Sequence, residues 1–113
     1  MADHIKIRPA NGTWVVRAGG AVLGESKNAL ELIEGDYPPV IYFPRDDLAM
    51  TFLDPSETNS TCPHKGEASY FSIAAKSGPI KNAAWSYEAP LDAVSQIKDH
   101  IAFYTDKVAV EEV

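Results

Sequence analysis

Turn formers punctuate this chain so often that no long helix fits between them. Pro9, Asn11-Gly12, Gly19-Gly20, Gly35, Pro38-Pro39, Pro44, Pro55, Pro63, Gly66, Gly78-Pro79 and Pro90 recur along its 113 residues. Glycine reaches backbone conformations that other residues resist, and proline fixes φ while removing a hydrogen-bond donor. The runs between these breaks are short and carry many β-branched and aromatic residues, so they read as strands. Ile5 to Arg8 alternates and stops at Pro9. Thr13 to Arg17 and Ala21 to Gly24 flank Gly19-Gly20, a two-residue glycine turn that marks a hairpin. Val40 to Phe43 is a buried strand ending at Pro44. Ala68 to Ala75 and Ile80 to Tyr87 form an antiparallel pair around Ser77-Gly78-Pro79, with Tyr70, Ser72 and Ala74 on one face and Phe71 and Ile73 on the other. Ile101 to Tyr104 and Val108 to Val110 are the last strands.

Other segments are less regular. Met1 to His4 reads as a frayed end. Ser26 to Glu34 suits a helical face through Ala29, Leu30 and Ile33, or a strand; Gly35 and Pro38-Pro39 cut it short, which favours the strand. Pro44-Arg45-Asp46-Asp47 fits the first turn of a short helix, with acids near its positive end. Leu48 to Leu53 reads as a strand leading to a turn at Asp54-Pro55-Ser56, and Pro90 opens a short helix to about Lys98. The fold class is therefore mainly β: one domain over residues 1–113, a curled or closed antiparallel sheet, tent-like or barrel-like, of about seven to nine short strands with one or two short helices.

A hydrophobic fraction of 45% and a charged fraction of 23% are ordinary for a globular protein and argue against disorder. Sixteen acidic residues against ten basic ones give a net charge of −6, which disfavours nucleic acid as a partner. No apolar run approaches the ~20 residues needed to span a bilayer, and Asp3 and Lys6 interrupt any leader-like N-terminus, so no membrane partner is expected and the cytoplasm is the expected location. A single cysteine forms no internal disulfide and agrees with a reducing compartment. A homodimer is admitted, since small open sheets often cover an edge by pairing.

Chemistry concentrates in Thr58 to Tyr70, read as a loop between two β segments that carries Cys62, His64 and Lys65 within four positions. Cys62 becomes a nucleophile only as thiolate, which His64 or Lys65 could favour; a lone cysteine is more often a small buried hydrophobe. Zinc needs about four Cys and His ligands, and Cys62-Pro63-His64 is too sparse, so no metal or other cofactor is expected. Lys65-Gly66 lacks the rest of a phosphate-binding loop. Arg45 could fork onto an anionic group with Lys65 beside it, or pair with Asp47 or Glu67 to tie loops together. Tyr42, Tyr70, Trp85, Tyr87, Phe103 and Tyr104 fall on predicted strands. Trp85 and Phe103 suit a core, while Tyr42, Tyr70 and Tyr87 suit an apolar pocket with polar handles.

Four ordered blocks, Tyr42-Phe43-Pro44-Arg45-Asp46-Asp47, Thr61 to Tyr70, Ala84-Trp85-Ser86-Tyr87 with Pro90, and Ile101-Ala102-Phe103-Tyr104, resemble those of domain-of-unknown-function family 427 from about Trp14 to Val108. The resemblance implies a small, mostly bacterial or fungal stand-alone β domain, similar to the tent-like sheets of methionine sulfoxide reductases. The zinc that such folds often carry between paired cysteines does not transfer to a chain with one. The family is also labelled nucleotidyltransferase-like, yet no acidic pair on a Gly-Ser loop supports nucleotide transfer here. Its pattern usually has an aromatic where this chain has His64, which shifts weight to Cys62 and Lys65. The expectation is a small molecule, anionic if Arg45 and Lys65 contact it, bound by Tyr42, Arg45, Asp47, His64, Tyr70, Trp85, Tyr87 and Tyr104. The rivals are an enzyme or redox protein using Cys62 with Lys65 in catalysis, and a structural or protein-interaction domain.

Overall fold

The computed structural model describes residues 4–113. Among them, ten strands form two antiparallel sheets. In chain order they are β1 (Ile5–Pro9), β2 (Trp14–Ala18), β3 (Ala21–Ser26), β4 (Leu30–Glu34), β5 (Val40–Phe43), β6 (Leu53–Cys62), β7 (Gly66–Ala75), β8 (Gly78–Ser86), β9 (Ile101–Phe103) and β10 (Ala109–Glu112). Seven strands make the large sheet in the order β1-β4-β5-β9-β8-β7-β6, and β10-β2-β3 make the small one. Neither sheet closes, so the curled alternative holds and the closed barrel does not. Among the described residues no helix is long and apolar enough to cross a membrane. The frayed end expected at Met1 to His4 lies outside the described residues apart from His4.

Alternation along the strands supplies each face of the large sheet with its own core. Phe43, Phe71, Ile73, Ile101 and Phe103 point toward the small sheet and meet Val16, Ala18 and Leu23 there. The intervening residues Tyr42, Ala68 and Ala102 point the other way and form a second cluster with Leu32, Tyr87, Val94 and Ile97. A strand whose successive side chains change face can serve two cores only if both sides are apolar, which is why Val40–Phe43 and Ile101–Phe103 are apolar throughout.

Several expectations are met closely. The Gly19-Gly20 turn has φ of 57° and 84°, the two positive angles that a tight hairpin of this hand requires. Val40–Phe43 has the predicted bounds. Others are corrected. Leu48 to Leu53 is no strand: Met50–Phe52 is a single 3-10 turn, and Leu48 only bridges to Gly24. Asp54-Pro55-Ser56 is no turn, and Thr58 to Cys62 is no loop; both belong to the ten-residue β6, paired with β7. As the last strand of its sheet, β6 tolerates Pro55 and an irregularity between Pro55 and Asn59 because one side of its backbone faces solvent. The Pro90 to Lys98 helix is a shorter 3-10 segment, Asp92–Ile97, broken at Val94. With Arg45–Asp47, that makes three short 3-10 pieces and ten strands, against one or two helices and seven to nine strands expected.

Gly24 on β3 lies closely against the Asp47–Leu48 segment that follows β5. A Cβ there would press into the Asp47 carbonyl and Leu48. Gly24→Ala should cost about 1–3 kcal/mol by overpacking, read as a lower denaturant midpoint at unchanged m-value. An unchanged midpoint would mean that the Asp47 segment moves aside freely.

Candidate functional site

Registered pairing across the large sheet builds a single row of side chains: Leu30 on β4, Tyr42 on β5, Ala102 on β9, Trp85 on β8 and Tyr70 on β7. Directly opposed residues share a face, so all five look away from the small sheet. Ala102 is the smallest of them. With strands ~4.8 Å apart, its small, fully buried methyl lets the Trp85 indole reach over it, and the Trp85 Nε1–H donates to the Tyr42 hydroxyl at 3.3 Å. Tyr104, two residues beyond Ala102, packs on Trp85 with ring centroids 4.6 Å apart and stacks on Tyr70 at 6.3 Å. Its hydroxyl donates to Tyr70 at 3.3 Å, and Tyr70 shares a 2.9 Å bond with Ser60 on the exposed edge.

Val94 and Ile97 from the Asp92–Ile97 segment are completely buried in this face's core. Elsewhere the face borders a cavity of about 220 Å³ whose aromatic lining is Tyr42, Tyr70, Trp85, Tyr87, Tyr104 and Tyr37. A second cavity of about 550 Å³ adjoins it, sharing Tyr37, Pro38, Val40, Trp85 and Tyr104 and adding Trp14, Ile41 and Phe103 among others. Burial is the main reason that the Tyr42 and Tyr104 phenols are each pushed up to about 12, and it raises Tyr87 as well. All three are protonated, hydrogen-donating phenols at neutral pH.

Lys65 supplies the charged end. The β6–β7 hairpin turns through Pro63-His64-Lys65, closed by the Lys65 N–H donating to the Cys62 carbonyl at 3.2 Å. Gly66 makes the turn with φ of 110°. Lys65 is the one buried charged residue among those described, 9% exposed, and its Nζ donates to Glu34 Oε1 at 2.7 Å. The second Glu34 oxygen faces His4 Nε2 at 3.5 Å. The Lys65 hydrogen bond holds the Glu34 carboxyl below its ordinary 4.5, against an opposing push from burial.

The structure thus brings Tyr42, Lys65, Tyr70, Trp85, Tyr87 and Tyr104 to one cavity. It places Arg45, Asp47, Cys62 and His64 outside the lining. Arg45 leaves the C-terminal end of β5, whereas Glu34 and Lys65 stand beside its N-terminal end, so four strand residues separate the two cations. The Arg45 guanidinium donates to the Asp99 carbonyl at 2.6 Å, to Ser86 Oγ at 3.1 Å and to Glu88 at 2.8 Å, clamping Asp99 in its left-handed conformation at φ 63°. It pairs with neither Asp47 nor Glu67. Asp47 accepts from Ser26 Oγ at 2.6 Å and fixes the end of β3. Cys62 is half-buried against the second core. The His64 ring meets His4 edge-on at 4.6 Å.

Sequence reasoning missed five lining residues, Leu32, Glu34, Tyr37, Pro38 and Val40, of which Glu34 and Tyr37 carry polar groups. Glu34 sits in an alternating run and reads as an ordinary solvated strand end; its partner is 31 positions away. Tyr37 had a usable signal, being an aromatic outside any strand between Gly35 and Pro38-Pro39, and it is 73% exposed. Among the described residues no three His, Cys, Asp or Glu side chains gather as metal ligands would.

The chain belongs to the family described as a domain of unknown function, DUF427, whose model matches residues 6–113. No curated protein matches it.

A carboxylate whose folded value is lowered stabilises the fold above its unfolded value and loses that contribution as pH falls through the folded one. Glu34 should therefore contribute at pH 6 and progressively less below 4.5. Glu34→Gln should lower Tm at pH 6, and the gap to wild type should close on acidification. A gap constant with pH would show that the Lys65–Glu34 pair does not act through charge. Lys65→Met should cost about 1.5–3 kcal/mol at neutral pH, the range for a hydrogen bond to a charged group, read by urea unfolding.

Proposed function

We propose that the protein is a small-molecule-binding domain whose site is the cavity over the Tyr42-Ala102-Trp85-Tyr70 row. The observation that carries this reading is a concave wall of aromatic rings with polar tips, ending on the half-buried Lys65–Glu34 ion pair. Ligand sites are mostly apolar concavities with a few well-placed polar groups, whereas an ordinary core buries its rings against one another and leaves no space. A volume of about 220 Å³ is small for such a site. At about 30 Å³ per liquid water it equals roughly seven waters, which suits a compact metabolite. Ring faces on Trp85 and Tyr104 favour a planar body. The reading uses Lys65 and leaves Arg45 as a clamp between β5, β8 and the segment before β9.

Val40 tests it, because its half-buried side chain borders the cavity while its backbone sits in a regular strand. A panel of metabolites screened by thermal shift should contain compounds that raise wild-type Tm by several degrees, since ligand at about 100 times Kd adds roughly 2.7 kcal/mol. Val40→Phe, which fills the space, should remain folded and abolish those shifts. A panel that stabilises neither protein, or stabilises both equally, would overturn the assignment of this cavity.

A further inference from the structure

Three hydrogen-bond donors that line the cavity, Tyr42, Tyr87 and Lys65, have donor capacity left over. Tyr87 is 6% exposed, and no hydrogen bond to its hydroxyl is formed among the described residues; its ionisation responds only to burial and to neighbouring charge. No fully occluded side-chain oxygen in the described residues lacks a partner. The Tyr87 hydroxyl must therefore reach open space, and it borders this cavity. An acceptor entering the cavity would take this hydrogen in place of solvent.

Tyr42, 1% exposed, has the same surplus in milder form. Its oxygen accepts from Trp85 Nε1, and its own hydrogen meets no acceptor among the described residues. Lys65 gives one of its three ammonium hydrogens to Glu34. The acceptor side is already engaged: one Glu34 oxygen faces Lys65 and the other faces His4. The unused acceptors in the lining are neutral phenol oxygens, those of Tyr87 and Tyr104, whereas the unused donors include a cation, Lys65.

Resting on the small-molecule reading above, we propose that the ligand is a monocarboxylate, its oxygens accepting from the Tyr42 and Tyr87 hydroxyls and the Lys65 ammonium, its body lying against Trp85 and Tyr104. A carboxylate has about four lone-pair sites, enough for the three donors. A phosphate dianion fits less well, because the site's one cation is already balanced by Glu34 and the chain carries net −6. Tyr87 acts here as a ligand-binding residue rather than as part of the core. Its raised pKa keeps it a donor well into the alkaline range.

The test uses two matched probe sets, acetate, benzoate and indole-3-acetate against the corresponding primary amides, titrated into Trp14→Phe protein so that Trp85 is its only tryptophan. Trp85 fluorescence and Tm are read together. At least one carboxylate should bind, about tenfold or more tighter than its amide, because a hydrogen bond to a charged group contributes about 1.5–3 kcal/mol. Adding Tyr87→Phe should weaken that carboxylate about five- to tenfold while leaving the Tm of the free protein unchanged or higher, since the hydroxyl has no protein partner to lose. Lys65→Met should weaken it further, provided its far-ultraviolet circular dichroism is native. Equal affinity for acids and amides, or amides bound while acids are not, would overturn the carboxylate assignment and leave the cavity as the binding site. A Tyr87→Phe protein that loses stability would overturn it too, by showing that the hydroxyl serves the fold. Should neither probe set perturb Trp85, the carboxylate assignment falls; the cavity reading falls with it only if the metabolite panel also gives no shift that Val40→Phe removes.

Discussion

Three residues hold the large sheet together. β9, Ile101 to Phe103, lies between β5 and β8, and the backbone pairing of the strands on its two sides, β1-β4-β5 and β8-β7-β6, is continuous only through it. Each of the three residues is buried, two against the small sheet and one on the opposite face. A strand this short contributes few hydrogen bonds, so its placement depends on side-chain packing from both sides. Ile101 and Phe103 anchor it toward the small sheet, with Phe103 edge-on to Phe43 at 5.8 Å. Arg45 fixes the approach to it by gripping the Asp99 carbonyl. The arrangement explains why a well-formed cation stands far from the cavity: it is spent on geometry that the cavity requires.

Ala102 is the other half of that constraint. A larger side chain at this place in the row would occupy the space in which the Trp85 indole meets the Tyr42 hydroxyl. The cavity is thus a consequence of sheet register as much as of the aromatic residues themselves. Register also decides which tyrosines share it, because a slip of one residue would send Tyr42 to the other core and Phe43 to the site.

The sequence made much of this architecture legible wherever local chemistry dictates local shape. Gly19-Gly20 specifies its hairpin, and Val40–Phe43 announces a strand by composition. The tyrosines could be grouped because alternation assigns faces without knowledge of the partner strand. β6 could not be read, since an edge strand with one solvated side needs no apolar alternation, and Pro55 with Ser, Thr and Asn looks like a loop when the pairing is unknown. The Asp92–Ile97 segment was legible as a helical stretch but not as two pieces broken at Val94. Within the site, the phenols and Lys65 were identifiable by type. The Lys65–Glu34 pair was not, because it joins a hairpin turn to the end of a strand 31 positions earlier, and nothing local to either residue requires the other.

The order of strands in space also sets an order in time. β9 begins at residue 101 yet occupies the middle of a sheet whose first strand begins at residue 5, and β10 crosses back to pair Ala109 with Arg17. Neither sheet can acquire its full complement of backbone partners until these late segments arrive. Hairpins β2–β3 and β6–β7–β8 are local in sequence, while their union requires long loop closures. Chains dominated by such non-local pairings fold in milliseconds to seconds rather than microseconds. In that interval the edges of β5 and β8, which β9 covers in the finished protein, are exposed, and the aromatic row is divided between two unjoined halves.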